Sequence, residues 1–104
     1  LEGVTFSGGE PFCQAAALAE LGRELKANGL TIWCYTGYTL EALLGSRQQA
    51  IRHLLQQIDV LVDGPYIEEQ RDISLLFRGS RNQRLIDVPQ TLAKGQIMLH
   101  PEQC

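Results

Sequence analysis

A chain of 104 residues with a formal net charge of −3 is long enough for one small domain and too short for two. Its 44% hydrophobic and 20% charged residues are ordinary for a globular protein, and its mild acidity argues against a sequence-independent nucleic-acid binder, which is clearly basic. No apolar run approaches the roughly 20 residues that span a bilayer, and no signal peptide is visible, so the expected setting is the cytoplasm with no membrane partner.

The first elements follow from the apolar pattern. Leu1-Glu2-Gly3-Val4 reads as the entry to a strand, and this opening reads as cut rather than native. Val4-Thr5-Phe6 continues the strand to an abrupt stop at Ser7-Gly8-Gly9. A helix is expected over 11–28, with Leu18, Leu21 and Leu25 on one face at i, i+3, i+7 and Asn28-Gly29 as its stop. Residues 30–35 form a β-branched and aromatic strand closed by Thr36-Gly37. Thr39 can cap a second helical region, with Glu41 suited to its first turn, and Gly45-Ser46 interrupts that region before it resumes through Gln57.

Residues 58–63 are the most hydrophobic strand, ended by Gly64-Pro65. The polar stretch 68–84 is too long and charged for a core connection and reads as a functional loop. A fourth strand is expected at 85–88, a helical turn at 89–94 and a last strand at 96–99. Strands alternating with amphipathic stretches predict an α/β fold of βα units on a mainly parallel sheet, as one domain over 1–104.

Three strands end in glycine turns with polar neighbours: Ser7-Gly8-Gly9-Glu10-Pro11, Tyr35-Thr36-Gly37-Tyr38 and Asp63-Gly64-Pro65-Tyr66. Ligands of parallel sheets collect at the carboxyl ends of strands, so all three turns fall on one ligand edge. In the first turn, Gly8 and Gly9 let the backbone approach a ligand without a Cβ, Pro11 removes an amide and directs the exit, and Glu10 adds an anionic acceptor. An ammonium offers three donors, so carbonyls with a carboxylate suit an amino-acid amine. The plainer reading places Glu10 in the first turn of a helix. For Asp63 the plainer reading is a turn-initiating residue before Gly-Pro.

Cys13, Cys34 and Cys104 are odd in number and widely spaced, making neither a disulfide framework nor a C-x-x-C clip; they read as reduced thiols, with Cys34 buried. No residue of this sequence is assigned as a metal ligand. Trp33 and Tyr35 alternate about Cys34, with one face of that strand in the core and no function assigned to Trp33. His53 reads as solvated, and His100 and Cys104 lie near a terminus.

The run from Gly3 to Pro11 resembles the second strand and GGEP motif of the radical S-adenosylmethionine superfamily. The run from Ile32 to Glu41 resembles the third strand of the anaerobic ribonucleotide reductase activating proteins. Asp59-Val60-Leu61-Val62-Asp63-Gly64-Pro65-Tyr66 and Arg78-Gly79-Ser80-Arg81-Asn82-Gln83-Arg84 resemble later blocks of that family, in the family's order. GGEP alone is moderately specific; the four blocks together are strong.

This resemblance implies a partial (βα) barrel, a 4Fe–4S cluster with one iron free of cysteine, and S-adenosylmethionine chelated to that iron. One-electron cleavage of the cofactor then gives a 5′-deoxyadenosyl radical that takes hydrogen from a glycine of the partner, the anaerobic reductase. A reduced electron-donor protein is a further implied partner. Carried over, Gly8, Gly9, Glu10 and Pro11 would hold the cofactor's amine, Thr36 would lie near its methionine or ribose, and Asp63 would make a polar contact with it or with an accompanying cation. The block 78–84 would bind the cofactor's carboxylate, meet the partner, or form a solvated loop.

The sequence departs from the family at the cluster. The C-x3-C-x2-C motif that precedes the second strand has no match, and Cys13 and Cys34 are too far apart to replace it. The expectation is the C-terminal part of a radical S-adenosylmethionine core that lacks the first strand and cluster loop and is inactive alone. An unpaired first strand also predicts self-association through its edge. Alternatives are a pyruvate formate-lyase activating enzyme, a cluster-free protein-binding module of the same fold, and a radical enzyme acting on a small molecule.

Overall fold

A computed structural model of the chain describes residues 3–75 and 77–103. Leu1 and Glu2, read above as a strand entry, lie outside the described residues, as do Leu76 and Cys104. The elements in chain order are β1 (Gly3–Phe6), α1 (Ala15–Ala27), β2 (Thr31–Tyr35), α2 (Leu40–Leu44), α3 (Gln49–Gln57), β3 (Val60–Asp63), β4 (Arg84–Asp87) and α4 (Val88–Lys94). Short 3-10 turns stand at Pro11–Gln14, Glu68–Gln70 and Pro101–Gln103.

The four strands lie side by side in sequence order. β1 and β2 are parallel with Phe6 opposite Cys34, and β2 and β3 are parallel with Cys34 opposite Leu61. β4 is antiparallel to β3, with Arg84 opposite Asp63, so the sheet is mixed. Parallel neighbours need a long crossover, usually a helix. β1–β2 and β2–β3 have helical crossovers, whereas the described residues of 64–83 hold a 3-10 turn and the isolated bridge Arg71–Ser80, with no α-helix among them, and β4 folds back beside β3. The last expected strand is a single bridge, Leu99 with Ile86.

One face of the sheet carries the main core. Phe6, Ile32, Cys34, Leu61 and Ile86 pack there with Ala15 and Ala19 of α1, Leu40 and Leu43 of α2, and Ile51, Leu54 and Leu55 of α3. A smaller cluster of Val60, Val62 and Leu85 occupies the other face, with Trp33 and Tyr35 packed against it. Phe77 and His100 adjoin Trp33, with ring centroids 4.9 and 5.5 Å away. Each fully buried large aliphatic side chain contributes about 1.5–3 kcal/mol, so this core outweighs any exposed ion pair.

The expected first helix begins as a 3-10 turn and becomes α-helical only at Ala15. Its buried face is Ala15, Ala19 and Gly22, with Leu18 and Leu25 at the margin; Leu21 is exposed, contrary to the leucine pattern. Small residues are required because α1 crosses α3 closely: a Cβ on Gly22 would stand 2.9 Å from Gln57 Cβ. At the C-terminus of α1, Lys26 pairs with Asp59 at 2.6 Å, and Asp59 also accepts from Ile32 N at 2.8 Å. Thr39 caps α2 as expected, accepting from Ala42 N at 3.2 Å, and the helical region breaks at Gly45. Among the described residues no helix is long and apolar enough to cross a membrane.

Candidate functional site

The parallel strands place their three terminal turns together. Gly8, Glu10 and Pro11 after β1, Tyr35 at the end of β2 with Thr36 and Gly37 after it, and Gly64 and Tyr66 after β3 line a shallow groove of about 260 Å³, together with Gln83. Gly8 has φ +90°, a conformation that L side chains rarely adopt, which permits the abrupt turn. Gly9 is exposed beside this turn but does not line the groove.

Glu10 is the centre of the groove. Its carboxylate caps the 3-10 turn, Oε2 accepting from Phe12 N at 3.1 Å. It also crosses to the second turn, where Oε2 accepts from Thr36 Oγ1 at 2.8 Å and Oε1 from Gly37 N at 2.8 Å. Glu10 is thus the N-cap of the 3-10 turn, one place before the first-turn position of the plainer reading, and it also bridges to the second turn. Thr36 is buried; its Oγ1 accepts from Tyr38 N at 3.2 Å, and its N–H donates to Val62 O at 3.0 Å.

A carboxylate has about four acceptor positions. Three donors occupy Glu10, and Oε1 carries only one of them. An open position on a partly buried, fixed carboxylate beside a glycine turn fits a ligand ammonium.

Asp63 sits differently. It is 1% exposed and does not line the groove. Oδ1 accepts from Arg84 Nε at 3.0 Å; Oδ2 accepts from Arg84 Nη2 at 2.5 Å and Leu40 N at 2.8 Å. The same guanidinium reaches Glu41 at 2.6 Å on the surface. Hydrogen bonds from Arg84 hold the Glu41 carboxyl below the usual carboxylate range, while Asp63 foremost, then Glu41, raises the Arg84 value further. Sequence reasoning missed this network: 21 residues separate Asp63 from Arg84 and 43 separate Glu41 from Arg84, and only the antiparallel register joins them.

The block 78–84 is folded onto the sheet rather than left as a free loop. Gln83 Nε2 donates to Gly64 O at 3.0 Å and Asn82 Nδ2 to Pro65 O at 2.7 Å, fixing the third turn. Ser80 is fully buried, its Oγ donating to Asn82 and accepting from Ile67 N. Arg78 donates to Gln83 O at 2.8 Å and Gln103 O at 3.1 Å.

The two described cysteines, Cys13 and Cys34, do not fit an iron–sulfur cluster. Cys13 is exposed and Cys34 is buried in the main core. Burial, reinforced by the nearby Glu10 charge, pushes the Cys34 thiol up to about 12, whereas cluster ligation needs thiolate. Among the described residues no three His, Cys, Asp or Glu side chains are grouped to hold a metal ion. Larger hollows exist, including one of about 450 Å³ lined by Trp33, Tyr35 and Phe77, but that one has no carboxylate in its lining. Donor chemistry rather than volume selects the Glu10 groove.

Fold and groove together define an α/β domain with a polar ligand edge at the carboxyl ends of three parallel strands. The chain belongs to the 4Fe-4S single cluster domain family, whose sequence model matches residues 1–86. It is similar to the anaerobic ribonucleoside-triphosphate reductase-activating protein of Vibrio cholerae, 47% identical over 85 residues, which are 78% of this chain and 52% of the relative. The proteins of the same name from Haemophilus influenzae and Escherichia coli are 42% and 35% identical over 86 residues, each match covering 79% of this chain and 53% of the relative. These matches agree with the family resemblance of the four sequence blocks. The chain spans about half the length of these curated relatives. No solved structure matches it.

Proposed function

We propose that this chain supplies the S-adenosylmethionine groove of an activating enzyme for an anaerobic ribonucleoside-triphosphate reductase. The observation that carries the reading is the Glu10 carboxylate, which lines the groove and is held by three donors from two turns, Oε1 taking only one of them. Relatives named as activators of that reductase support this reading over a pyruvate formate-lyase activator. In the proposal Glu10 receives the cofactor's ammonium, Gly8 and Gly9 give it backbone access, Pro11 fixes the exit, and Thr36 orients the carboxylate.

The cofactor in such enzymes supplies a hydrogen-abstracting 5′-deoxyadenosyl radical, used to install a glycyl radical on the partner reductase. The described residues bind and orient; they hold no cluster ligand set, and a reduced electron donor and the cluster belong to chemistry that these residues do not perform. On this reading the chain works in the cytoplasm as one domain of a radical S-adenosylmethionine core, inactive alone. Its β1, paired only with β2 among the described residues, offers an edge for self-association.

The test is calorimetric titration of S-adenosylmethionine into the wild-type chain and Glu10→Gln. A hydrogen bond to a charged group is worth about 1.5–3 kcal/mol, so the variant should bind roughly 10- to 150-fold more weakly. Equal affinity would remove Glu10 from the site and the reading with it.

A further inference from the structure

We propose that Asp63 is a positioning residue for the Glu10 groove, acting through the turn at Thr36–Tyr38 without touching a ligand; this rests on the reading of Glu10 above. Asp63 lies at the end of β3 and its Oδ2 accepts from Leu40 N, the first residue of α2. Its neighbour Gly64 donates from N to Tyr38 O at 2.9 Å, and Val62, on the other side, accepts from Thr36 N at 3.0 Å. Val62 and Asp63 of β3 and Gly64 just after it thus grip the turn between β2 and α2. That turn provides two of the three donors on Glu10, Thr36 Oγ1 and Gly37 N.

Arg84 completes the device. Its side-on pair of Nε and Nη2 fixes the plane of the Asp63 carboxylate, which leaves Oδ2 aimed at Leu40 N. The chain of contacts runs from Arg84 to Asp63, to the 36–40 turn, to Glu10. An amide at position 63 has the same shape but only one acceptor oxygen. With that oxygen in the Oδ2 place, bonded to Leu40 N and Arg84 Nη2, its NH2 faces Arg84 Nε donor against donor; turned the other way, the NH2 faces Leu40 N. The turn is then held less firmly, and so are the two donors it brings to Glu10, Thr36 Oγ1 and Gly37 N.

A mere loss of stability would weaken every ligand alike. A positioning role predicts a selective loss, confined to ligands that bring an amine to Glu10. The probes are S-adenosylmethionine and its analogue lacking the α-amine, titrated into wild type, Asp63→Asn and Arg84→Lys at low temperature. Amide hydrogen exchange of Gly37 is followed in the same samples without ligand.

Wild type should prefer the amine-bearing probe by at least about tenfold. Asp63→Asn should cut that preference by about tenfold, leave the affinity for the des-amino probe within about twofold, and speed Gly37 exchange by about tenfold while the Cys34 and Leu61 amides keep their protection. Arg84→Lys keeps the charge but loses the fork, and should show the same pattern at smaller amplitude if Asp63→Asn does not fold. A wild-type chain with no preference for the amine would sink the Glu10 reading; Gly37 exchange would still decide whether Asp63 controls the turn. A variant that keeps both the preference and the Gly37 protection overturns the proposal.

Discussion

Replacing Arg84 by Met separates two ion pairs that share one guanidinium. Asp63 is 1% exposed, and two of its three donors belong to Arg84. Arg84→Met leaves this carboxylate buried with Leu40 N as its remaining partner. Removing one member of a buried pair costs about 3–5 kcal/mol. The other pair is weaker: the Glu41 side chain is 60% exposed, so Glu41→Ala should cost about 0–1 kcal/mol despite a comparable 2.6 Å contact.

Trp33 is the only tryptophan, and its fluorescence reports urea unfolding. With a slope of about 1.5 kcal/mol/M, Arg84→Met should lower the midpoint by about 2–3 M and Glu41→Ala by less than about 0.7 M. The Asp63→Asn/Arg84→Met double variant should recover part of the loss, because the stranded charge is gone. Equal, sub-1 kcal/mol costs for Arg84→Met and Glu41→Ala would refute the reasoning that burial, rather than distance, sets the strength of these pairs.

Further predictions concern thiol and cluster. The Cys34 thiol, at about 12 in the fold against 9.0 when free, stays protonated where the unfolded chain ionises. Below pH 9 it adds no pH dependence; between pH 9 and 12 the unfolded state holds fewer protons, so stability falls by up to about 1.4 kcal/mol per pH unit. Cys34→Ala should flatten this alkaline limb in urea titrations, leaving a smaller slope from Tyr35, which burial also raises; an unchanged slope would exclude Cys34 as its source. Anaerobic incubation with iron and sulfide should give no stoichiometric 4Fe–4S spectrum on this chain, since Cys13 and Cys34 lie apart in the fold; a reducible cluster at one per chain would show that the cysteines assemble a site.

Much of the fold is legible in local pattern. The strands ending at Phe6, Tyr35 and Asp63 are short apolar runs stopped by glycine turns, and parallel connection through helices brings those turns to one edge. Thr39 is readable as a cap because its chemistry acts within three residues. The face of α1 was less legible: counting leucines favours Leu21, whereas the close crossing against Gln57 selects Ala15, Ala19 and Gly22. The direction of β4 had a signal in the crossover helix missing among the described residues of 64–83.

In the site, Glu10 is recognisable from its turn, but its bonds to Thr36 and Gly37 cross 26 and 27 residues. Asp63 looked like a ligand contact because it ends a strand at the right edge; what redirects it is Arg84, invisible until register is known. The block 78–84 looked like a solvated or ligand-binding loop, yet Asn82 and Gln83 spend their amides on the third turn.

The most direct test of the central claim is titration of the isotopically labelled chain with S-adenosylmethionine, read as amide shifts residue by residue. The account predicts shifts concentrated at Gly8, Gly9, Glu10, Thr36, Gly37 and Gly64, with the Trp33 and Phe77 amides unmoved. Shifts centred on Trp33 and Phe77, or none at saturating ligand, would contradict it.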